Sequence, residues 1–353
     1  MNKANVSNDS QVNINKAIWL VLIFLIIAAA GLLYAKWFPY YQKGITASNT
    51  HSIGDSILGD SLGGSPSFQM AWDYALTYFQ SVWKAAVLGI LLGSLLQVLI
   101  PTQWLLKVLG KTSFGSTAVG GLASMPGMMC TCCAAPMAVG LRKKNASVGA
   151  ALAFWIGNPA INPATLVFMT FVLSWKFTVI RIVFGLILTF GVSYLANRFA
   201  NDTKPIDIDE LVKVDATENG GFISKWFKSL GTMILYIVPA YFLSVFILGA
   251  ARVWLFPQLS DTAAHGILAI ILFAIGGMLF VIPTAAEIPI IQTFLSLGVG
   301  TGPAAALLLT LPSISLPSLI MVSTSFPKKV LLFVMVAVVV IGIASGLVGM
   351  LLL

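Results

Sequence analysis

The chain has 353 residues, of which 58% are hydrophobic and 9% charged, with a formal net charge of +8. A soluble domain carries about 25% charged residues, so this composition excludes an ordinary soluble fold and puts most of the surface against lipid. The positive charge does not argue for nucleic acid, because the basic residues sit at the ends of apolar runs, where cations orient helices or snorkel.

In chain order, residues 1–16 read as a tail on the cytoplasmic side, carrying Lys3 and Lys16. Ala17–Phe38 is predicted to be an N-terminal transmembrane helix. Its apolar run continues past Ala28-Ala29-Ala30 to Trp37, beyond the roughly 7–15 residues of a signal-peptide core. Residues 39–77 read as a polar outer loop, rich in Ser, Gly and Asp from Lys43 to Gln69. Residues 78–197 form a first repeat, 198–228 a charged cytoplasmic linker, and 229–353 a second repeat. Tyr78–Ile100, Phe177–Asn197, Leu230–Ala251 and Val330–Leu353 are near the ~20 residues that cross a hydrocarbon core. They are continuous rather than alternating, so they read as helices, not strands.

The two repeats align at a shift of 153 without gaps. Thr131 falls on Thr284, Pro136 on Pro289, Gly149 on Gly302, Pro159 on Pro312 and Lys176 on Lys329. Matched helix breakers at one offset point to duplication, a common origin of transporter folds. Charge chooses between a parallel and an inverted arrangement. With Lys3 and Lys16 inside, Arg142-Lys143-Lys144 stays inside only if Ser113–Leu141 dips in and turns back. Gly120-Gly121, Pro126-Gly127 and Pro136 make such a hairpin feasible. The matching hairpin, about residues 265–297, then enters from the opposite side. The expected fold is an all-α integral membrane protein: an inverted repeat of about four helical elements per half, plus the N-terminal helix. This gives seven full crossings, two re-entrant hairpins and an outer C-terminus.

Four helix breaks are predicted, at 129–136, 157–163, 283–289 and 312–317, and they pair across the repeats. Their markers are Pro136, Pro159, Pro163, Pro283, Pro289, Pro312 and Pro317. Broken backbone within a membrane is tolerated only where protein or a wet cavity satisfies it, so the breaks are expected to meet at one central site. The first break holds all three cysteines, Cys130, Cys132 and Cys133. Clustered in membrane-embedded sequence, they cannot staple distant loops. They read either as thiolate ligands for a thiophilic solute or as inert packing residues. Glu287 lies in the second copy, where an acid at membrane depth points to proton coupling, or else to a structural carboxyl at the break. Asn158 and Asn162 each precede a proline, and Ser313 and Ser315 replace them in the second copy. All four either ligand a solute or cap freed backbone. Gln292 is a further candidate ligand.

At these residues the chain resembles the predicted-permease family that includes bacterial trivalent organoarsenical efflux permeases. The resemblance rests on Cys130-x-Cys132, Pro136, the basic turn 142–144, the run Gly149-Ala150-Ala151-Leu152-Ala153-Phe154 and Glu287-Ile288-Pro289. It spans residues 78–350, and the run Pro126–Pro136 is most similar to an enterobacterial inner-membrane branch of that family. The resemblance implies a multi-pass permease of the bacterial cytoplasmic membrane rather than an enzyme.

The expected function is secondary transport of a small thiophilic or sulfur-containing solute, with proton-coupled efflux of a trivalent organoarsenical as the finest form. Cys130 and Cys132 would bind it, Cys133 would assist, and Glu287 would exchange protons. The rivals are a membrane thiol/disulfide-exchange enzyme and a non-transporting anchor subunit. No Walker loop, dinucleotide fingerprint or zinc-protease motif occurs, so no cofactor or metal is expected. The expected partners are the solute and the bilayer; homo-oligomerisation is left open.

Overall fold

The computed structural model describes residues 3–58, 66–200, 221–256 and 266–353, and only the backbone of residues 3–17. Among these residues the fold is all-helical. Helix α1 (Lys3–Leu32) passes through a π-helical turn, Leu33–Trp37, into α2 (Phe38–Thr50). Then come α3 (Phe68–Leu99), α4 (Thr102–Leu109), α5 (Phe114–Ser124), α6 (Thr131–Lys143), α7 (Val148–Ala160) and α8 (Pro163–Val172). Helix α9 (Trp175–Leu186) continues through a π turn, Ile187–Val192, into α10 (Ser193–Ala196). The rest is α11 (Phe222–Leu255), α12 (Ile267–Leu279), α13 (Glu287–Ser296), α14 (Thr301–Ser313), α15 (Leu316–Val322) and α16 (Lys328–Leu352).

Three expectations change. Residues 39–50 are helical and α3 begins at Phe68, so the loop read at 39–77 does not extend over 39–50 or 68–77, and residues 59–65 within it lie outside the described residues. Tyr40 and Lys43 of this helix line a cavity, so polar residues that look like a loop in sequence sit on a helix. Helix α11 begins at Phe222, inside the expected 198–228 linker, and residues 201–220 of that linker lie outside the described residues. Six helical stretches among the described residues are long and apolar enough to cross a membrane, one of them α14 and α15 taken together. The seventh expected crossing, 146–174, is split into α7 and α8. Asn162 accepts from Ala164 N (3.0 Å) and Thr165 N (3.3 Å), and Pro163 opens α8, so a new helix starts where the old one ends.

The first break is a hairpin. After α5, Met125–Gly127 form a 3₁₀ turn, Met128 is left-handed at φ 48°, and Cys130 is extended. Both outer ends of the hairpin return to α4: Ser116 Oγ donates to Val108 O (3.0 Å), and Ser147 N donates to Leu109 O (2.7 Å). Pro136 is not at the break. It lies inside α6, which starts at Thr131 and runs on to Lys143. Its missing N–H costs only the bond to the Cys132 carbonyl, and the helix carries on around it.

Helix α6 packs on α3 through Gly89 and Gly93, four residues apart, a spacing that lets two backbones approach closely. A Cβ on Gly89 would collide with the Cys133 carbonyl, and one on Gly93 would come within 2.7 Å of Pro136 O. Gly93→Val is therefore expected to lower stability by about 1–3 kcal/mol, the usual cost of overpacking, read as thermal unfolding in detergent. An unchanged midpoint would show that α3 and α6 are not held this tightly.

The second half repeats the element order. Val148, Pro163 and Trp175 open α7, α8 and α9, and Thr301, Leu316 and Lys328 open α14, α15 and α16, each 153 residues later. Helices α7 and α14 are apolar on all sides and buried throughout, forming the centre of the bundle. The corresponding helices α9 and α16 run antiparallel. Lys176 Nζ at the start of one donates to Leu352 O at the end of the other (3.1 Å). At the opposite end Phe199 stacks on Phe333, with ring centres 4.4 Å apart.

Candidate functional site

The cysteines form the first turn of α6, with Cys130 as the extended residue before it. Cys130 Sγ donates to Cys133 Sγ at 2.9 Å. The close pair is thus 130–133 rather than the 130–132 pair suggested by Cys-x-Cys spacing. Residues one turn apart share a helix face, whereas Cys132 is rotated away. Cys132 Sγ lies 3.4 Å from Ser315 Oγ, beside the Tyr78 and Tyr241 hydroxyls, which bond each other at 2.7 Å. Thr131 Oγ1 also reaches Ser315 Oγ at 3.4 Å. The second copy therefore contributes a hydroxyl to the thiol cluster.

Glu287 opens α13 and is 1% exposed. Its Oε1 lies 3.3 Å from Arg181 Nη2, also buried. Arg181 does more than pair an acid. It donates from Nη2 to Pro159 O (2.7 Å), from Nε to Ala160 O (3.0 Å) and from Nη1 to Leu308 O. Each of these carbonyls has lost its helical partner. The N–H four residues after Pro159 would be that of Pro163, and four after Leu308 that of Pro312, neither of which exists. The N–H four after Ala160 belongs to Ala164, which bonds the Asn162 side chain instead. One guanidinium therefore satisfies backbone freed by breaks in both halves. Among the described residues, no side chain or backbone group makes a hydrogen bond to Glu287 Oε2.

Glu287 and Cys130 line one small inner cavity of about 10 Å³, together with Thr131, Pro159, Pro283, Thr284 and Pro312. This is close to the space one water needs. All four breaks thus meet around the thiols and the acid. A larger vestibule of about 530 Å³ lies on the far side of Pro283, Thr284 and Ala285, which line both spaces. Ala285 adopts a left-handed conformation at φ 71°, a strained setting for a residue with a side chain. At the vestibule floor Lys36, 6% exposed, donates to Thr284 Oγ1 (3.1 Å) and Tyr40 OH (2.9 Å).

The remaining candidates divide. Asn158 braces the first break, with Oδ1 accepting from Met129 N (3.4 Å) and Nδ2 donating to Phe154 O (2.9 Å). Asn162 caps α8. Both bond backbone here. Ser315 joins the thiol cluster, while Ser313 Oγ bonds back to Leu309 O in its own helix (2.5 Å). Gln292 is exposed on α13 and outside the site, because five residues past Glu287 a helix has turned about 140°. Pro163 and Pro317 sit in the first turns of α8 and α15, Pro289 in the first turn of α13, and Pro283 within a break. Pro159 and Pro312 lie in the last turns of α7 and α14. Sequence reasoning missed Lys36, Arg181, Tyr78 and Tyr241. The first two were open to the rule applied to Glu287, that an ionisable group deep in an apolar run is functional by default.

A family described as a predicted permease matches residues 119–351. The chain is 50% identical over 329 residues to UPF0718 protein YraQ of Escherichia coli (strain K12), covering 93% of this chain and 94% of that protein. It is 22% identical over 327 residues to UPF0718 protein MJ0584 of Methanocaldococcus jannaschii, covering 74% and 90%. No solved structure matches. With six membrane-length apolar helical stretches and a broken-helix centre, this chain is a multi-pass membrane protein and belongs to the predicted permease family.

Proposed function

We propose that this protein is a secondary permease of the bacterial cytoplasmic membrane, passing a small thiophilic or sulfur-containing solute through the cysteine cluster. In the finest form of this reading the solute is a trivalent organoarsenical moving outward with proton exchange. The carrying observation is that Cys130 and Glu287 line one cavity where the four breaks converge. Soft thiols suit a soft centre, and a lone buried carboxyl suits a proton. The halves act as an inverted repeat rocking about this cavity. Support comes from the antiparallel α9 and α16, and from Arg142 at the first hairpin's mouth donating to Ser325 O, at the start of the second half's last helix (3.3 Å).

The test is uptake and efflux in membrane vesicles across trivalent arsenicals and small thiols, with and without a proton gradient. Flux of at least one of them that responds to the gradient is expected. Glu287→Gln, which keeps an acceptor for Arg181 but cannot release a proton, is expected to retain flux and lose the response to the gradient. An unchanged response would remove Glu287 from coupling.

The 2.9 Å Cys130–Cys133 approach at a helix N-terminus also favours a second reading, thiol/disulfide exchange. There Cys130 would attack a carrier disulfide and Cys133 would displace the reduced carrier, leaving a Cys130–Cys133 disulfide. That reading requires thiol-dependent turnover without net solute flux.

A further inference from the structure

We infer that the vestibule is a binding site for small anions with Lys36 as its deepest contact, so that the solute delivered to the thiols is a sulfur-bearing anion. The inference deepens the permease reading by naming the charge of the solute, and it rests on that reading only for what happens beyond the vestibule.

The lining is unbalanced. Lys36, Lys43 and Lys84 face the space, and Asp55 is the single carboxylate among its described residues. Lys36 is the unusual member. Its hydrogen-bond partners are two neutral hydroxyls, and Lys43 adds a second positive charge to the same lining. Arg181, also buried at the centre, has Glu287. A buried ammonium without a carboxylate is costly in a membrane protein, and such residues mark substrate paths. An anion held at the floor would give Lys36 a counter-charge on the vestibule side, away from the thiols.

The local backbone delivers Lys36 there. It lies in the π-helical turn Leu33–Trp37, a feature that re-aims side chains at functional sites. Trp37 Nε1 pins this turn to Pro126 O (2.8 Å) at the tip of the first hairpin. The ammonium thus reaches the lip formed by Pro283, Thr284 and Ala285. Thr284 bonds Lys36 on one side and lies against Cys130 on the other. An anion on Lys36 competes for the bond that holds Thr284, and so loosens the wall between vestibule and thiols. The vestibule's volume falls within the roughly 300–1,000 Å³ typical of small-molecule sites.

The test uses the full chain in lipid nanodiscs, with thiosulfate and sulfate as probes and dimethyl sulfone as a neutral control, read by calorimetry and by fluorescence of Trp83 and its neighbours. Saturable thiosulfate binding that weakens with added chloride is expected. Lys36→Gln should weaken it by about tenfold or more, as for loss of a charged hydrogen-bond donor, and Lys36→Arg should restore most of it. Should Lys36→Gln fold poorly, Lys43→Gln/Lys84→Gln serves instead. That variant is expected to weaken thiosulfate binding by about threefold and to flatten its chloride dependence. Wild-type affinity in these variants, no anion binding in the native chain, or displacement of thiosulfate by dimethyl sulfone would overturn the inference. Cys130→Ser/Cys133→Ser separates the two readings. Anion binding that survives there while flux is lost supports both, and full flux in that variant removes the thiols while leaving the Lys36 result to stand alone.

Discussion

Arg181→Met is expected to lower the stability of the folded chain by about 3–5 kcal/mol, the range seen when one partner of a buried ion pair is removed. The change strands Glu287, whose second oxygen has no hydrogen bond among the described residues, and reopens the carbonyls of Pro159, Ala160 and Leu308. Reversible unfolding in mixed micelles measures the loss. The double variant Arg181→Met/Glu287→Leu separates the causes. If the stranded charge dominates, most of the stability returns, since an apolar replacement for a buried pair is often neutral. If the three carbonyls matter as argued, recovery is partial. A single variant within about 0.5 kcal/mol of wild type, the range of ordinary surface changes, would sink the hub role.

Cys130→Ser/Cys133→Ser is expected to reduce flux of the thiophilic or sulfur-containing solute proposed above by about a hundredfold or more, because a hydroxyl is a poor partner for soft sulfur or arsenic. The two sulfurs at 2.9 Å act as one donor pair, so either serine alone should remove most of the effect. Cys132→Ser should cost less, because its sulfur faces Ser315 and the tyrosine pair instead. Serine is nearly the same size, so thermal stability should stay close to wild type, and a flux defect with normal unfolding assigns the loss to chemistry. Retained flux in the double variant would remove thiol coordination.

Much of this architecture could be read from local signals. Prolines and glycines that interrupt long apolar runs mark breaks wherever they occur, and Pro159 with Pro312 gave the offset away. What escaped depends on tertiary surroundings. Residues 39–50 look like a loop because Lys43 and Tyr40 are polar, and only the vestibule shows why a helix tolerates them. Pro136 looks like a breaker, yet one absent donor did not stop α6. The nearest sulfur neighbours depend on where the helix starts: it begins at Thr131 and puts Cys133 over Cys130, one turn on. Lys36 and Arg181 were passed over because a lone cation in an apolar stretch is easily dismissed as one that snorkels to the surface.

The offset that makes the halves alike also exposes where they differ. Arg181 corresponds to Val334, and Glu287 to Ala134, so the ionic hub has no twin. Two halves that trade shapes with identical residues would leave the inward-open and outward-open conformers degenerate. In the conformer described, the guanidinium sits over those carbonyls. Under the rocking of the halves proposed above, the empty protein would therefore have a preferred resting side, and solute would have to supply the free energy that the hub loses when it tips.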